Sequence, residues 1–222
     1  MQNWIQTDIS VEGALKINVK AHLLSDPYNS GTQLIIEDKV GVWQMNSDEV
    51  FNDDWVELMK EKLDLTVTGA LIFARKAGYQ HPGAHIDVNP IGEELLPVSH
   101  SFNWVLEQDN NPMVWYKPWW DAEDIDESTD AANGKFPFPG QSGDGVEARD
   151  MVYQETPCEL LERDSEHCLA HDRITIVRTN IPHSVDMVSD KDRWCITARC
   201  KYDRQPIWSQ VYDKFSQFHS KN

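Results

Sequence analysis

Basic residues are scarce in this chain. Its 222 residues hold 20 Lys and Arg against 37 Asp and Glu, for a formal net charge of −17. A field of that sign repels phosphate backbones and anionic membranes, so neither a nucleic-acid partner nor a membrane partner is expected. The same acidity also serves plain solubility. Any dianionic ligand would need local arginines to overcome it. Cysteine is sparse too: Cys158, Cys168, Cys195 and Cys200 form no CxxC pair. That spacing argues against a zinc ribbon or a disulfide frame and for reduced thiols in a cytoplasmic protein. No run approaches ~18 consecutive apolar residues, so a membrane-spanning helix is not expected. The opening segment Met1–Asp8 has no basic stretch followed by an apolar one, and a secretion signal is not expected there. No internal repeat is visible.

What the chain does have is short β-branched and aromatic runs. Residues 1–46 read as mixed strands and turns, with strands at Gln33–Glu37 and Val40–Trp43 around a polar turn. Residues 50–63 read as a helix, with Trp55, Leu58, Met59 and Leu63 at helical spacing. Further strands are predicted at Thr66–Ala74, His85–Val88, His100–Glu107, Met113–Lys117, Met151–Thr156, Cys158–Glu162, Arg173–Thr179 and Trp194–Lys201. Short strands in that number predict a mainly β fold, a jelly roll of the cupin type, with flanking helices. The chain length suits a single domain, 1–222. Its parts are an N-terminal region 1–64, a β core 65–201 and a C-terminal helix within 202–222.

The chemistry concentrates in His85-Ile86-Asp87, followed far downstream by Ile181-Pro182-His183 and then Arg193. In an extended strand, side chains at i and i+2 point to one side, so His85 and Asp87 can grip one ion together. A third ligand must then come from another strand. Two imidazoles and one carboxylate on one face of an octahedral ion leave three positions for small ligands, the facial triad of non-haem iron sites. Ten residues past His183, Arg193 offers a planar fork of donors to a carboxylate. Alone, an HxD tripeptide also reads as a surface histidine beside a solvated aspartate. The distal Pro-His loop and the arginine strand set it apart from that reading.

In these four positions, His85, Asp87, His183 and Arg193, the chain resembles the Fe(II)/2-oxoglutarate-dependent oxygenase superfamily. The segment Thr179–Arg199 carries the likeness most specifically, and the resemblance covers roughly residues 65–201. It implies a double-stranded β-helix with the HxD pair after the second core strand, the distal histidine near the seventh and the basic residue on the eighth. It implies Fe(II) on His85, Asp87 and His183, 2-oxoglutarate as cosubstrate with its far carboxylate on Arg193, and dioxygen. The reaction implied is hydroxylation of an aliphatic C–H with release of succinate and carbon dioxide. The carboxylate of Asp87 favours hydroxylation, because halogenating relatives replace it with a small residue. Within the superfamily the interval from His183 to Arg193 is most similar to the aspartyl/asparaginyl and prolyl hydroxylase-like branch. The substrate implied is an amino acid, a peptidyl side chain or a small metabolite, and oligomeric state stays open.

Other residues are candidates around that site. Arg199 shares a strand face with Arg193, Cys195 and Thr197, and reads either as a pocket residue or as a rim salt bridge. Asn103 is a cosubstrate contact by resemblance. Tyr116 reads either as a hydroxyl donor to a carboxylate or as a core tyrosine. His81 and His100 read as loop or strand-edge histidines. His167 and His171 have zinc-helix spacing but lack the HExxH glutamate. Four strands with short connections need roughly 40 residues, whereas 95 residues separate Asp87 from His183. An insertion at 118–150 fills the difference. It is acidic at Asp121, Glu123, Asp124, Asp126, Glu127 and Asp130, and it reads either as disordered or as a lid carrying Trp119, Trp120, Phe136 and Phe138, with Trp115 and Tyr116 before it. Two other functions fit parts of the pattern: a cupin-type metalloprotein that works without 2-oxoglutarate, and a non-catalytic acidic binding module.

Overall fold

A computed structural model describes residues 1–26, 32–36, 39–80, 83–91, 94–118, 156–201 and 206–219. Strand β1 (Trp4–Ser10) leads to helix α1 (Val19–Ser25), where the Asn18 side chain accepts the Ala21 N–H as an N-cap. Strands β2 (Thr32–Ile36) and β3 (Val40–Asn46) pair as an antiparallel hairpin. The single helix predicted over 50–63 is split into α2 (Ser47–Val50) and α3 (Asp53–Leu63). Phe51 causes the break: it is fully buried and forms a β-bridge with Leu15. In α3, Trp55, Met59 and Leu63 bury one face, and Asp64 closes the helix in the left-handed conformation at φ 53.

The β core then runs through β4 (Thr66–Arg75), β5 (Gly83–Ala84), β6 (Val88–Ile91), β7 (Glu94–Pro97), β8 (His100–Val105) and β9 (Pro112–Tyr116). It continues with β10 (Thr156–Pro157), β11 (Arg163–Cys168), β12 (Arg173–Arg178), β13 (His183–Val185) and β14 (Arg193–Lys201), before helix α4 (Trp208–Phe215). Among the described residues the fold is mainly β and antiparallel. One sheet has the order β1-β12-β8-β14-β4-β3-β2 and a smaller one the order β11-β9-β13. An antiparallel bridge from His85 to His183 extends the smaller sheet by one position.

Three expectations differ in detail. The strand predicted at His85–Val88 is interrupted, with β5 before His85 and β6 after Asp87. Cys158–Leu160 is a 3-10 turn where a strand was predicted. β11 was not predicted, because Arg-Asp-Ser-Glu-His-Cys lacks β-formers; it is recruited by backbone pairing to β9. The predicted strand Met151–Thr156 falls outside the described residues except for Thr156, as do His81 and positions 119–150 of the insertion.

Strand parity separates two apolar clusters. Trp194, Ile196 and Ala198 of β14, Ala70 and Ile72 of β4, and Phe102 and Trp104 of β8 face one side of the large sheet. There they pack against Leu23, Trp55, Met59 and Phe215 of the helices. Val105, Met113, Trp115, Val177 and Cys195 form a second cluster joining the two sheets. Trp115, expected near a lid, belongs to this interior, and its indole N–H donates to the Arg178 carbonyl at 2.7 Å. No helix among the described residues is long and apolar enough to cross a membrane.

His100 is not at a strand edge. It is 3% exposed on an internal strand, with Nδ1 2.8 Å from Ser99 Oγ. Burial, helped by the charge of Lys214, pushes its pKa down to about 3. The unfolded chain therefore takes up a proton near pH 6.5 that the folded chain refuses. Stability is intact above that pH and is lost as pH falls. Between pH 6 and 4 the unfolding free energy of the native chain should drop about 1.4 kcal/mol per pH unit more than that of His100→Asn. Parallel pH profiles for the two in denaturant titrations would show that another group sets the acid limit. His167, stacked on Trp4 at 4.8 Å, is pushed down to about 4 by burial and adds to the same trend.

Candidate metal centre and its cavity

The sequence brings His85, Asp87 and His183 together through backbone pairing. His85 N–H donates to the His183 carbonyl at 3.0 Å and His183 N–H to the His85 carbonyl at 2.9 Å, so the two histidines sit directly opposite one another. Asp87 N–H donates to the Thr179 carbonyl, and the Asp87 carbonyl accepts the Val98 N–H, both at 2.9 Å. The ligand-bearing loop is thus pinned on both sides of Ile86, which is itself buried.

One donor atom from each of the three residues lies within 4.8 Å of the others, and this group can hold a metal ion. Asp87 Oδ1 is 3.7 Å from His85 Nε2 and 3.6 Å from His183 Nε2. Donors at about 2.1 Å from one ion and at right angles to each other lie about 3 Å apart, so both Asp87–histidine edges are within about 0.7 Å of that spacing. His183 Nδ1 lies 2.9 Å from the Ile181 carbonyl, which can only accept; the proton is therefore on Nδ1 and Nε2 presents a lone pair to the ion. Burial raises the pKa of Asp87, but the neighbouring His183, then His85 and Arg199, outweigh it. The carboxyl stays below its ordinary value and is ionised. His183 is 5% exposed, against 33% for His85 and 39% for Asp87, so the group opens to the surface on the HxD side.

The triad lines a cavity of about 100 Å³, smaller than the roughly 300–1,000 Å³ of most small-molecule sites. Alternate residues of three adjacent strands form one wall: Leu71, Phe73 and Arg75 of β4, Ser101 and Asn103 of β8, and Arg193, Cys195 and Thr197 of β14. Met113, Leu169 and Val185 close it from the other side. Thr197 Oγ1 donates to Asn103 Oδ1 at 2.8 Å, which leaves the Asn103 amide nitrogen as a donor toward the cavity. Arg193 is 5% exposed, and its Nε is 3.7 Å from Asp109 Oδ2, itself on a buried residue. Its guanidinium makes no hydrogen bond among the described residues, so its outer fork is available to the cavity.

Two of the sequence candidates do not line this cavity. Tyr116 lies on the opposite face of β9 from Met113, with its hydroxyl 3.1 Å from Ser184 Oγ, in a cluster with Ala84 and Val114. Burial raises its pKa to about 12, and it is the core tyrosine of the two readings. Arg199 sits beyond Thr197 on the same strand, pairs with Gly69, does not line the cavity, and its charge acts on Asp87. His167 is on a strand, which removes the helical zinc spacing with His171. Sequence reasoning missed Arg75 and Asp109. Arg75 was detectable as a charged residue at the same parity as Leu71 and Phe73. Asp109 was not, since a short polar turn gives no sign of burial. No family model matches this chain, and no curated protein matches it.

Proposed function

We propose that this chain is an Fe(II)- and 2-oxoglutarate-dependent oxygenase that hydroxylates an aliphatic C–H of an amino acid, a peptidyl side chain or a small metabolite. The observation that carries this reading is the convergence of His85, Asp87 and His183 in the same cavity as the open guanidinium fork of Arg193. Strand order supports it as well. Of eight successive positions along the chain, β4, β8, β12 and β14 lie in the large sheet and residue 85, β9, β11 and β13 in the small one, with only β9 and β11 consecutive in the same sheet, a distribution that fits two facing four-stranded layers.

When bound there, the metal and 2-oxoglutarate supply oxidising chemistry in which dioxygen and the cosubstrate become a substrate hydroxyl, succinate and carbon dioxide. The chain's own groups do the rest. His85, Asp87 and His183 would hold the ion together and leave room beside it for small ligands. Arg193 pairs with the far carboxylate of the cosubstrate, and Asn103 donates its amide from the neighbouring strand. Leu71, Phe73, Met113 and Leu169 set apolar surface beside these groups, which strengthens those polar contacts. With an ion bound, Asp87 would take a position that a halide would otherwise need, which favours hydroxyl transfer.

One observation favours a second reading, a cupin-type metalloprotein that works without 2-oxoglutarate: Asp109 gives Arg193 a structural partner. One experiment separates the two. Under anaerobic conditions, Fe(II) and 2-oxoglutarate added together should produce a metal-to-ligand charge-transfer band, and admission of oxygen should release succinate. Metal binding without that band or succinate would favour the cupin reading.

A further inference from the structure

The five residues Thr179–His183 touch every member of the triad through polar atoms. The Thr179 carbonyl accepts the Asp87 N–H at 2.9 Å, the Ile181 carbonyl faces His183 Nδ1 at 2.9 Å, and the backbone of His183 exchanges two hydrogen bonds with that of His85. A closed circuit holds the Thr179 end. The Thr179 hydroxyl donates to the Val98 carbonyl at 2.6 Å, the Val98 N–H donates to the Asp87 carbonyl at 2.9 Å, and the Asp87 N–H returns to the Thr179 carbonyl. The Thr179 N–H also donates to the Ser99 carbonyl at 3.1 Å. The β6–β7 hairpin leaves this circuit after Asp87 and rejoins it at Val98, so the hydroxyl ties down both ends of the chain on which Asp87 stands. Thr179 is buried and lines the cavity beside the triad, and its hydroxyl is the one side-chain group in the circuit.

We infer that Thr179 is a positioning residue for the metal centre: its hydroxyl, acting through Val98, fixes the Asp87 carboxylate against the two imidazoles. The inference rests on the metal-binding part of the reading above and is independent of 2-oxoglutarate. Asp87 needs such support more than His183 does. His183 is buried and has its ring held at Nδ1, whereas Asp87 is partly exposed and is placed by its two backbone hydrogen bonds, one to each end of the circuit. Partners that orient a metal ligand from outside set its affinity by about 10–100-fold.

Calorimetric titration of the metal-free protein with Mn(II) tests this without turnover, with the visible ligand-field absorption of the Co(II)-loaded protein as a second readout. Thr179→Val keeps the shape and removes the hydroxyl; it should weaken Mn(II) about tenfold or more and alter the Co(II) bands. Thr179→Ser, which restores the donor, should bind Mn(II) within about threefold of the native chain. Thr7→Val is the control for stability alone. Thr7 is fully buried on β1, away from the cavity, and its hydroxyl donates to the Ile174 carbonyl at 2.9 Å. Both valine variants should lower the melting temperature, but only Thr179→Val should lose metal affinity. Thr179→Ala, also without the hydroxyl, gives the same comparison where valine disturbs the packing. Unchanged Mn(II) affinity in the hydroxyl-free variants at 179, equal losses in Thr179→Val and Thr7→Val, or no recovery in Thr179→Ser would each overturn the positioning role. Native protein that binds neither Mn(II) nor Co(II) would instead overturn the metal centre, and the positioning role with it.

Discussion

His183→Ala is expected to abolish metal-dependent turnover while leaving the fold in place. His183 is the buried member of the triad and the one whose tautomer is fixed, through Nδ1 to the Ile181 carbonyl. Without it, His85 and Asp87 remain as a half-exposed pair on one loop. Removing an outer partner of a metal ligand already costs about 10–100-fold in affinity; removing the ligand itself should cost more, and the metal should be lost at micromolar protein. The fold should tolerate the change, because the two backbone hydrogen bonds between residues 85 and 183 do not involve the imidazole. Unfolding free energy should fall by only about 1–2 kcal/mol, a typical value for a single truncation outside the main apolar cluster. Metal titration and far-UV circular dichroism on the same sample check both halves. Retained succinate release would show that another residue holds the iron.

How far this site can be read from sequence depends on whether a residue's role is local. The i, i+2 spacing of His85 and Asp87 is local, and the pair does point to one cavity, although not along one regular strand. Parity along β14 is local too. From Arg193, Cys195 and Thr197 it places the cavity wall correctly, and the apolar residues between them form the helix-covered face. The limits begin where a role depends on distant pairing. Tyr116 and Trp115 are adjacent in sequence and sit on opposite faces of β9, a distinction set by the register of β9 against β13, in which Trp115 opposes His183. β11 carries no strand signal of its own and exists because β9 offers it an edge. His100 looks like any polar residue beside a serine, and only the sheet order shows that it is interior. Arg75 and Arg193 are over a hundred residues apart in sequence and become neighbours only through the pairing of β4 with β14.

Arg193→Leu is expected to have the largest effect on cosubstrate binding, and it should act on two properties that can be measured apart. The first is affinity. A carboxylate taken into the cavity needs a paired cation, and removing one partner of a buried pair costs about 3–5 kcal/mol, or roughly two to four decades in Kd for 2-oxoglutarate. Fe(II) affinity should change far less, because Arg193 is not one of the three grouped metal donors. Lysine at this position should restore part of the affinity, since it supplies charge without the planar fork. The second property is stability. Asp109 is 4% exposed and faces Arg193 Nε at 3.7 Å, so the leucine variant buries a carboxylate without that partner and should unfold at lower denaturant. Adding Asp109→Asn to Arg193→Leu should recover much of the lost stability, because the stranded charge is gone, yet recover none of the affinity. If both properties returned together, the weak binding of the single variant would have been a folding defect and not the loss of a carboxylate contact. If Arg193→Leu left 2-oxoglutarate affinity unchanged while Arg199→Leu destroyed it, the anchor would be Arg199, whose charge already acts on Asp87, and Arg193 would serve only as the counter-ion of Asp109.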